Sequence, residues 1–547
     1  MLRLAAQIDI AFREARWLNV WANSTIRMNI PSRLASATLL AIFTLYPPAL
    51  RADVKLPPVF SDHMVLQRDV AAPVWGTAAP EEEVTVSIAG QTKSTKADAK
   101  GLWRVKLDPL KVGPALTLTV KGKNTIALKD VLVGEVWLGS GQSNMAGTAG
   151  GYAKADEGLQ KILAGGPYPK IRHISSRGSW QEATPQTMAS FGAILLPFGL
   201  KLQQELDVPI GLMLGAVGGT PSGYWLTDEM FQGDAACKAL VAKAAAVYQP
   251  EAAQKKYEAD LVAWEKASAA AKVEKKNAPR KPAPPAKPGE TSGAKIGHLY
   301  EAHIRSFVGY AMRGVLWDQG ESGTAISGVD QYTLMGALIR GWRKDWAQGE
   351  FPFLYVQKPS GGGPAWDPAD PVTKQANQYA AAPPNVPAAG DGSYRELHIR
   401  ILRYPQTAMV TATDLGSGVH PTNKSGYGER AARVALGVAY GKKIEFYGPL
   451  YEAHAVEGGK IRIRFTHVGQ GLAFKHGEKL RGFAIAGEDK KFHWATATID
   501  GDAVVVTSDL VTKPVAVRYA WASVHPWANL FNKDGLPAQT FRTDDWK

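Results

Sequence analysis

The stretch Gly134–Met145, GEVWLGSGQSNM, runs from an apolar segment into a small polar turn. Val131–Leu138, VLVGEVWL, is an almost continuous apolar run of strand length, the pattern of a strand buried on both faces of a parallel sheet. Ligands of open α/β sheets bind beyond the carboxyl ends of such strands. That places Ser143, between Gln142 and Asn144, where a hydroxyl can act as a nucleophile. The plainer role for it is to close a turn through its own backbone.

Similar apolar runs follow at Ile210–Val217, Arg313–Gln319, Phe351–Gln357 and Ala408–Asp414. They alternate with segments such as Gly428–Gly441, where Ala431, Ala432, Ala435 and Leu436 recur at helical spacing. The alternation predicts an α/β domain with a doubly wound parallel sheet over residues 128–440. Residues 53–127 instead carry short β-rich runs between turns (HMVLQRD, APVWGTA, EVTVSIAG, GLWRVKL), which predicts a small antiparallel sandwich. Residues 441–547 return to β-type runs and form a second β-rich domain. A Lys/Ala/Glu stretch ending in PRKPAPPAKPGE marks residues 250–295 as an insertion with little to bury.

The chain has 547 residues, 45% hydrophobic and 21% charged, an ordinary globular composition. Its net charge of +13 does not mark a nucleic-acid binder. Residues 1–52 and 251–295 carry much of the excess, and no basic cluster alternates with aromatics to grip a phosphate backbone. Cys237 is the only cysteine, so no internal disulfide and no cysteine-based zinc cluster can form. Residues 1–52 read as a leader: from Met28 there is a basic start at Arg33, an apolar run Leu34–Tyr46 too short to span a bilayer, and a small residue, Ala52, before the cleavage point. The mature protein is therefore expected to be exported, periplasmic or secreted, with no membrane contact once the leader is removed.

Several predicted strands end in polar, glycine-rich loops. Ser143 follows the first; Gly218, Gly219 and Thr220 follow the second; Gln319 and Glu321 follow the third; Asp414 and His420 follow the last. A hydroxyl, an imidazole and backbone N–H donors are the parts of an acyl-transfer site. Each residue also has a structural reading, from tight packing to loop capping.

GEVWLGSGQSNM, PIGLMLGAVGGTPSGYW, GVLWDQGES and HPTNKSGYGERAARVAL resemble, in that order, the motif blocks of the sialate O-acetylesterase family, a branch of the SGNH (GDSL-type) hydrolases. The resemblance extends through HMVLQRDVAAPVWGTA near the start and NLFNKDGLPAQTFRTDDW at the end. It implies metal-free, cofactor-free serine hydrolysis of O-acetyl groups on a sugar or polysaccharide. Carried over by position, Ser143 is the nucleophile and His420 its base. The backbone N–H groups of Ser143 and Gly219, with the Gln319 side chain, form the oxyanion hole. Gln142, Asn144, Thr220, Trp225 and Glu321 are candidate substrate contacts.

Three departures from the family pattern matter. WDQGESG places Asp318 and Gly323 where tyrosine and asparagine are usual. HLYEAHI puts Glu301 where asparagine is usual. DLGSGVHP lacks the aspartate normally found just before His-Pro, having Ser417 and Gly418 instead. The enzyme then runs on a Ser143/His420 dyad or recruits an acid such as Asp414. Acetylxylan or another polysaccharide is the alternative substrate, and a catalytically impaired sugar-binding protein the alternative of another class.

Overall fold

The strand β1, Thr125–Gly141, organises the molecule. Up to Leu132 it mixes exposed and buried positions, and from Val133 to Gly141 every residue is buried. Its neighbours change at the same place. The first half pairs antiparallel with the strand Leu116–Lys121, and Leu132–Gly134 pair parallel with Val65–Gln67. The second half lies between two parallel strands, which is why its apolar run is continuous there. In this computed structural model, residues 53–279, 281–357, 365–387, 392–416 and 418–546 are described. The leader expected over residues 1–52 lies outside them. The sequence boundary at residue 128 falls inside β1, so the N-terminal β region and the α/β region share a strand and a continuous core.

The α/β region contributes, in chain order, β2 (Tyr168–Ser175), α1 (Leu195–Leu206), β3 (Ile210–Ala216), β4 (Gly314–Asp318), α2 (Gln331–Trp346), β5 (Phe353–Val356), α3 (Ser393–Ile401), β6 (Thr407–Val410) and α4 (Lys424–Val438). The strand order is β6-β5-β4-β1-β3-β2, and all six strands run parallel. From β1 the chain first builds one side of the sheet and then crosses to build the other. The reversal of winding therefore lies at β1. Helices cover both faces. On one, Phe198 of α1 packs edge-on against Trp137 of β1 at 5.2 Å, and the small-residue face of α4, with Ala431, Ala432 and Ala435 fully buried, closes onto α1. On the other, Trp342 of α2 packs at right angles to Trp317 of β4 at 5.9 Å.

Glu135 sits in the middle of the apolar run and is buried. Arg313 holds it with bonds of 2.7 and 3.0 Å, Gln67 adds one of 2.9 Å, and Arg68 pairs with it as well. A buried carboxylate is tolerated when its charge and lone pairs are satisfied in this way.

The C-terminal region has its own core around Ile461, Ile463, Phe483, Val504 and Tyr519. One antiparallel sheet is ordered Leu450–Glu457, Lys460–Thr466, Ala503–Thr507, Thr496–Asp500. A second is ordered His493–Trp494, Phe483–Ala486, Ala516–Tyr519, Phe541–Arg542. Within the insertion, Pro250–Val273 is a helix with no buried residue, as its composition requires. Among the described residues no helix is long and apolar enough to cross a membrane.

His173 of β2 is buried and stacks on Phe191 with ring centroids 4.5 Å apart. Burial pushes its imidazole down from 6.5 to about 4, so the folded protein holds it neutral. Such a group contributes its full stability above pH 6.5 and loses it as pH falls from there towards about 4, because only the unfolded chain takes up the proton. The loss approaches about 3 kcal/mol. His173→Phe should therefore narrow the gap between the urea midpoints measured at pH 7 and pH 5.

Candidate active site

Four loops leave the carboxyl ends of β1, β3, β4 and β6 and meet above the point where the winding reverses, the usual ligand position in an open parallel sheet. Gly141 starts the first with a φ of +127°, and its carbon lies so close to the Asp318 carbonyl that a Cβ would fall 2.1 Å from that oxygen. Only glycine fits there. The Gln142 N–H donates to the same carbonyl at 2.8 Å, and the turn delivers Ser143 to the first position of a short helix, Ser143–Ala146.

The Ser143 hydroxyl and His420 Nε2 are 2.8 Å apart, although 277 residues separate them in sequence. Gly218 lies against Ser143, since a Cβ there would stand 3.3 Å from the Ser143 Cβ. Gly219 is solvent-exposed with a left-handed φ of +70°. Among the described residues, neither the Ser143 nor the Gly219 N–H is spent on another hydrogen bond. Both are thus available to a developing oxyanion.

Gln319 is drawn into the structure in a different way from the expectation. Its Nε2 donates to the carbonyls of Thr220 (3.2 Å) and Gly323 (3.3 Å), and its Oε1 accepts from Gln331 at 3.2 Å. In this state the amide ties the β3 and β4 loops together.

Trp225 does not flank a sugar: it is fully buried, and its indole N–H donates to the Thr220 hydroxyl at 3.1 Å. Thr220 itself donates back to the Val217 carbonyl at 2.8 Å. Gln142 and Asn144 are likewise buried and bonded internally rather than turned to a ligand. Gln142 donates to Glu321 and accepts from the Ser322 hydroxyl at 3.0 Å. Glu301 is exposed and paired with Arg305.

Asp414 is bonded elsewhere than to the His420 ring. It is buried, and its two oxygens accept from Arg430 of α4 at 2.6 and 2.9 Å. Arg430 also reaches the Thr411 carbonyl at 3.0 Å, so the pair pins α4 to the end of β6. Among the described residues no Asp or Glu bonds the His420 ring. Gly418 has a φ of +76°, a conformation an aspartate would adopt only under strain.

Lys424 has no signal in the sequence, since a lysine opening a helix reads as a surface residue. It is fully buried, over the rings of Tyr152 (4.6 Å) and Tyr427 (5.2 Å), and it donates to the side chain of Asn144, the residue after Ser143. Asn144 in turn donates to the Val419 carbonyl at 3.1 Å, one residue before His420. The Ser143 loop, the His420 loop and α4 are thereby locked together. Burial pushes the Lys424 ammonium down against the opposing pull of Asp318 and Glu321. Burial and then Glu321 push the Asp318 carboxyl up, with Lys424 pulling it back. Asn144→Ala removes the clamp without touching a reacting atom. It should lower kcat by about 10²-fold with KM little changed, as expected when a catalytic group is misplaced by an ångström.

Among the described residues, His63, Asp130 and Glu182 are close enough together to share a metal, but Arg172 already pairs with both carboxylates at 2.7 and 3.2 Å.

Residues 133–261 match the family described as "Carbohydrate esterase, sialic acid-specific acetylesterase". A carbohydrate acetylesterase from Xanthomonas citri is 31% identical, with 90% of this chain and 100% of that one aligned and a TM-score of 0.69. The chain belongs to this carbohydrate esterase family. The esterase is also 26% identical to the sialate O-acetylesterases of Mus musculus and Homo sapiens, over 84% and 85% of its own length and 88% and 86% of theirs. It is accordingly a carboxylic ester hydrolase that removes O-acetyl groups from carbohydrate.

Proposed function

We propose that the esterase is an SGNH-type serine enzyme acting on O-acetylated sialic acid through a Ser143/His420 dyad. The observation that carries the reading is the 2.8 Å approach of His420 Nε2 to the Ser143 hydroxyl at the mouth of the reversal point. His420 takes the proton as Ser143 attacks the acetyl carbonyl, and the Ser143 and Gly219 N–H groups receive the charge that develops on the oxygen. His420 then returns the proton to the sugar oxygen as the C–O bond breaks, and the sugar leaves as its free hydroxyl. Water, activated by the same imidazole, releases acetate. In place of a third residue, the Lys424–Asn144–Val419 chain fixes the loop that carries His420. Gln319 joins as an oxyanion donor only by giving up its two carbonyls, so its primary contribution is to brace the loops. Sialic acid is preferred because the mammalian relatives carry that name. Acetate released from O-acetylated sialic acid and from acetylated xylan side by side tests the substrate; a clear preference for xylan would contradict it. Export rests on the apolar run Leu34–Tyr46 and predicts a mature N-terminus near Asp53.

A further inference from the structure

The C-terminal β region holds a cavity of about 430 Å³, within the usual range for small-ligand sites. Four tryptophans line it, Trp494, Trp521, Trp527 and Trp546, and all four remain partly exposed. So many indoles left open to solvent on one patch mark a binding surface rather than a core. Trp494 and Trp527 form a corner, with ring centroids 6.2 Å apart and planes at 75°. Trp494 is fixed by its N–H on the Pro383 carbonyl at 2.8 Å, while its ring still faces the cavity.

The charge on the walls has one sign. Lys490, Lys491 and Arg518 line the cavity, and no acid does among the described residues. Arg518 is paired with Asp544, with bonds of 2.8 and 2.7 Å, and the exposed Lys490 and Lys491 form no ion pair among the described residues. Lys490 lies 5.4 Å from the centre of the Trp546 ring, so its charge is carried beside an aromatic floor.

One short segment links the cavity wall to the loop after β4. Gly392 is packed on the Trp521 indole, and Tyr394, two residues on, has its hydroxyl against Gly320 in the loop after β4. One turn of chain at the start of α3 thus touches both.

We propose that this cavity is a second carbohydrate subsite, which holds a pyranose ring bearing a carboxylate on a glycan that the enzyme deacetylates or has deacetylated. The proposal rests on the reading of the protein as a carbohydrate esterase. The apolar C–H face of the sugar packs in the Trp494/Trp527 corner, and the carboxylate pairs with Lys490 and Lys491. Indole walls suit such a ring because they offer large rigid area with little entropy to lose.

The test uses the full chain and probes with no acetyl ester, so that turnover plays no part: 3′-sialyllactose, with lactose as its neutral counterpart. Calorimetric titration at low salt should show sialyllactose binding about tenfold more tightly than lactose. Trp527→Ala should weaken sialyllactose about tenfold, and Trp527→Phe, which keeps an aromatic wall, should retain most of the affinity. Lys490→Gln combined with Lys491→Gln should make the two sugars bind alike. The thermal unfolding midpoint of each variant separates a lost site from a lost fold. Equal binding of the two sugars by the parent, absence of binding, or parent-like binding by a folded Trp527→Ala protein would overturn the proposal. Hydrolysis of an aryl acetate by the parent is scored separately. Its absence would sink the esterase reading, whereas the sugar titration speaks only to the cavity.

Discussion

Ser143→Ala should lower acetate release by roughly 10⁴- to 10⁶-fold, the scale on which removal of a serine nucleophile acts. The hydroxyl's one hydrogen bond among the described residues is the 2.8 Å contact with His420, and His420 is itself exposed. Removing it leaves no buried polar group without a partner, so the thermal midpoint should stay within a degree or two of the parent, as about 0.5 kcal/mol of change implies. A Ser143→Ala protein that kept a tenth of the parental rate would mean that another group attacks the ester.

The second large effect is on stability. Asp414→Asn takes the counter-charge away from Arg430, whose side chain is buried, and turns one of the two accepting oxygens into an NH2 donor facing the guanidinium. Breaking a buried ion pair from one side costs about 3 kcal/mol or more, because the remaining charge stays in the interior. The urea midpoint should fall accordingly, while kcat of the folded fraction stays within about tenfold of the parent. The opposite pattern, an unchanged midpoint with a loss of about 10³ or more in kcat, would make Asp414 the acid of a triad. The two outcomes separate an anchoring carboxylate from a catalytic one.

Much of the scaffold is legible in the sequence. Continuous apolar runs such as VLVGEVWL and FPFLYV suit strands buried between parallel neighbours; β3, β4 and β5 each fall in such a run, and β1 and β6 overlap one. The strand-end rule then gathers Ser143, Gly218, Gly219 and His420 although no local spacing links them. What escapes it is how the loops fold over one another. Trp225 reads as a sugar platform because an aromatic beside a strand end has the same sequence pattern whether it faces the cleft or the core; here it is fully buried. Gln142 and Asn144 flank the nucleophile in sequence, yet the sharp turn at Gly141 sends their side chains inward to Glu321 and Lys424. Lys424 is invisible in the sequence because its burial depends on Asn144, Asp318 and Glu321, which reach it from two other loops. The break in the family pattern before His420 is legible. That Arg430 already occupies Asp414 is not, because the pair forms only when α4 docks on the end of β6.

The central claim is that Ser143 is acylated and that His420 activates it. Treating the purified protein with a fluorophosphonate and mapping the adduct by mass spectrometry tests this most directly. Near-stoichiometric labelling of Ser143, slowed by orders of magnitude in His420→Ala, is the predicted result. Labelling of a different residue, or labelling of Ser143 that proceeds as fast without His420, would contradict it.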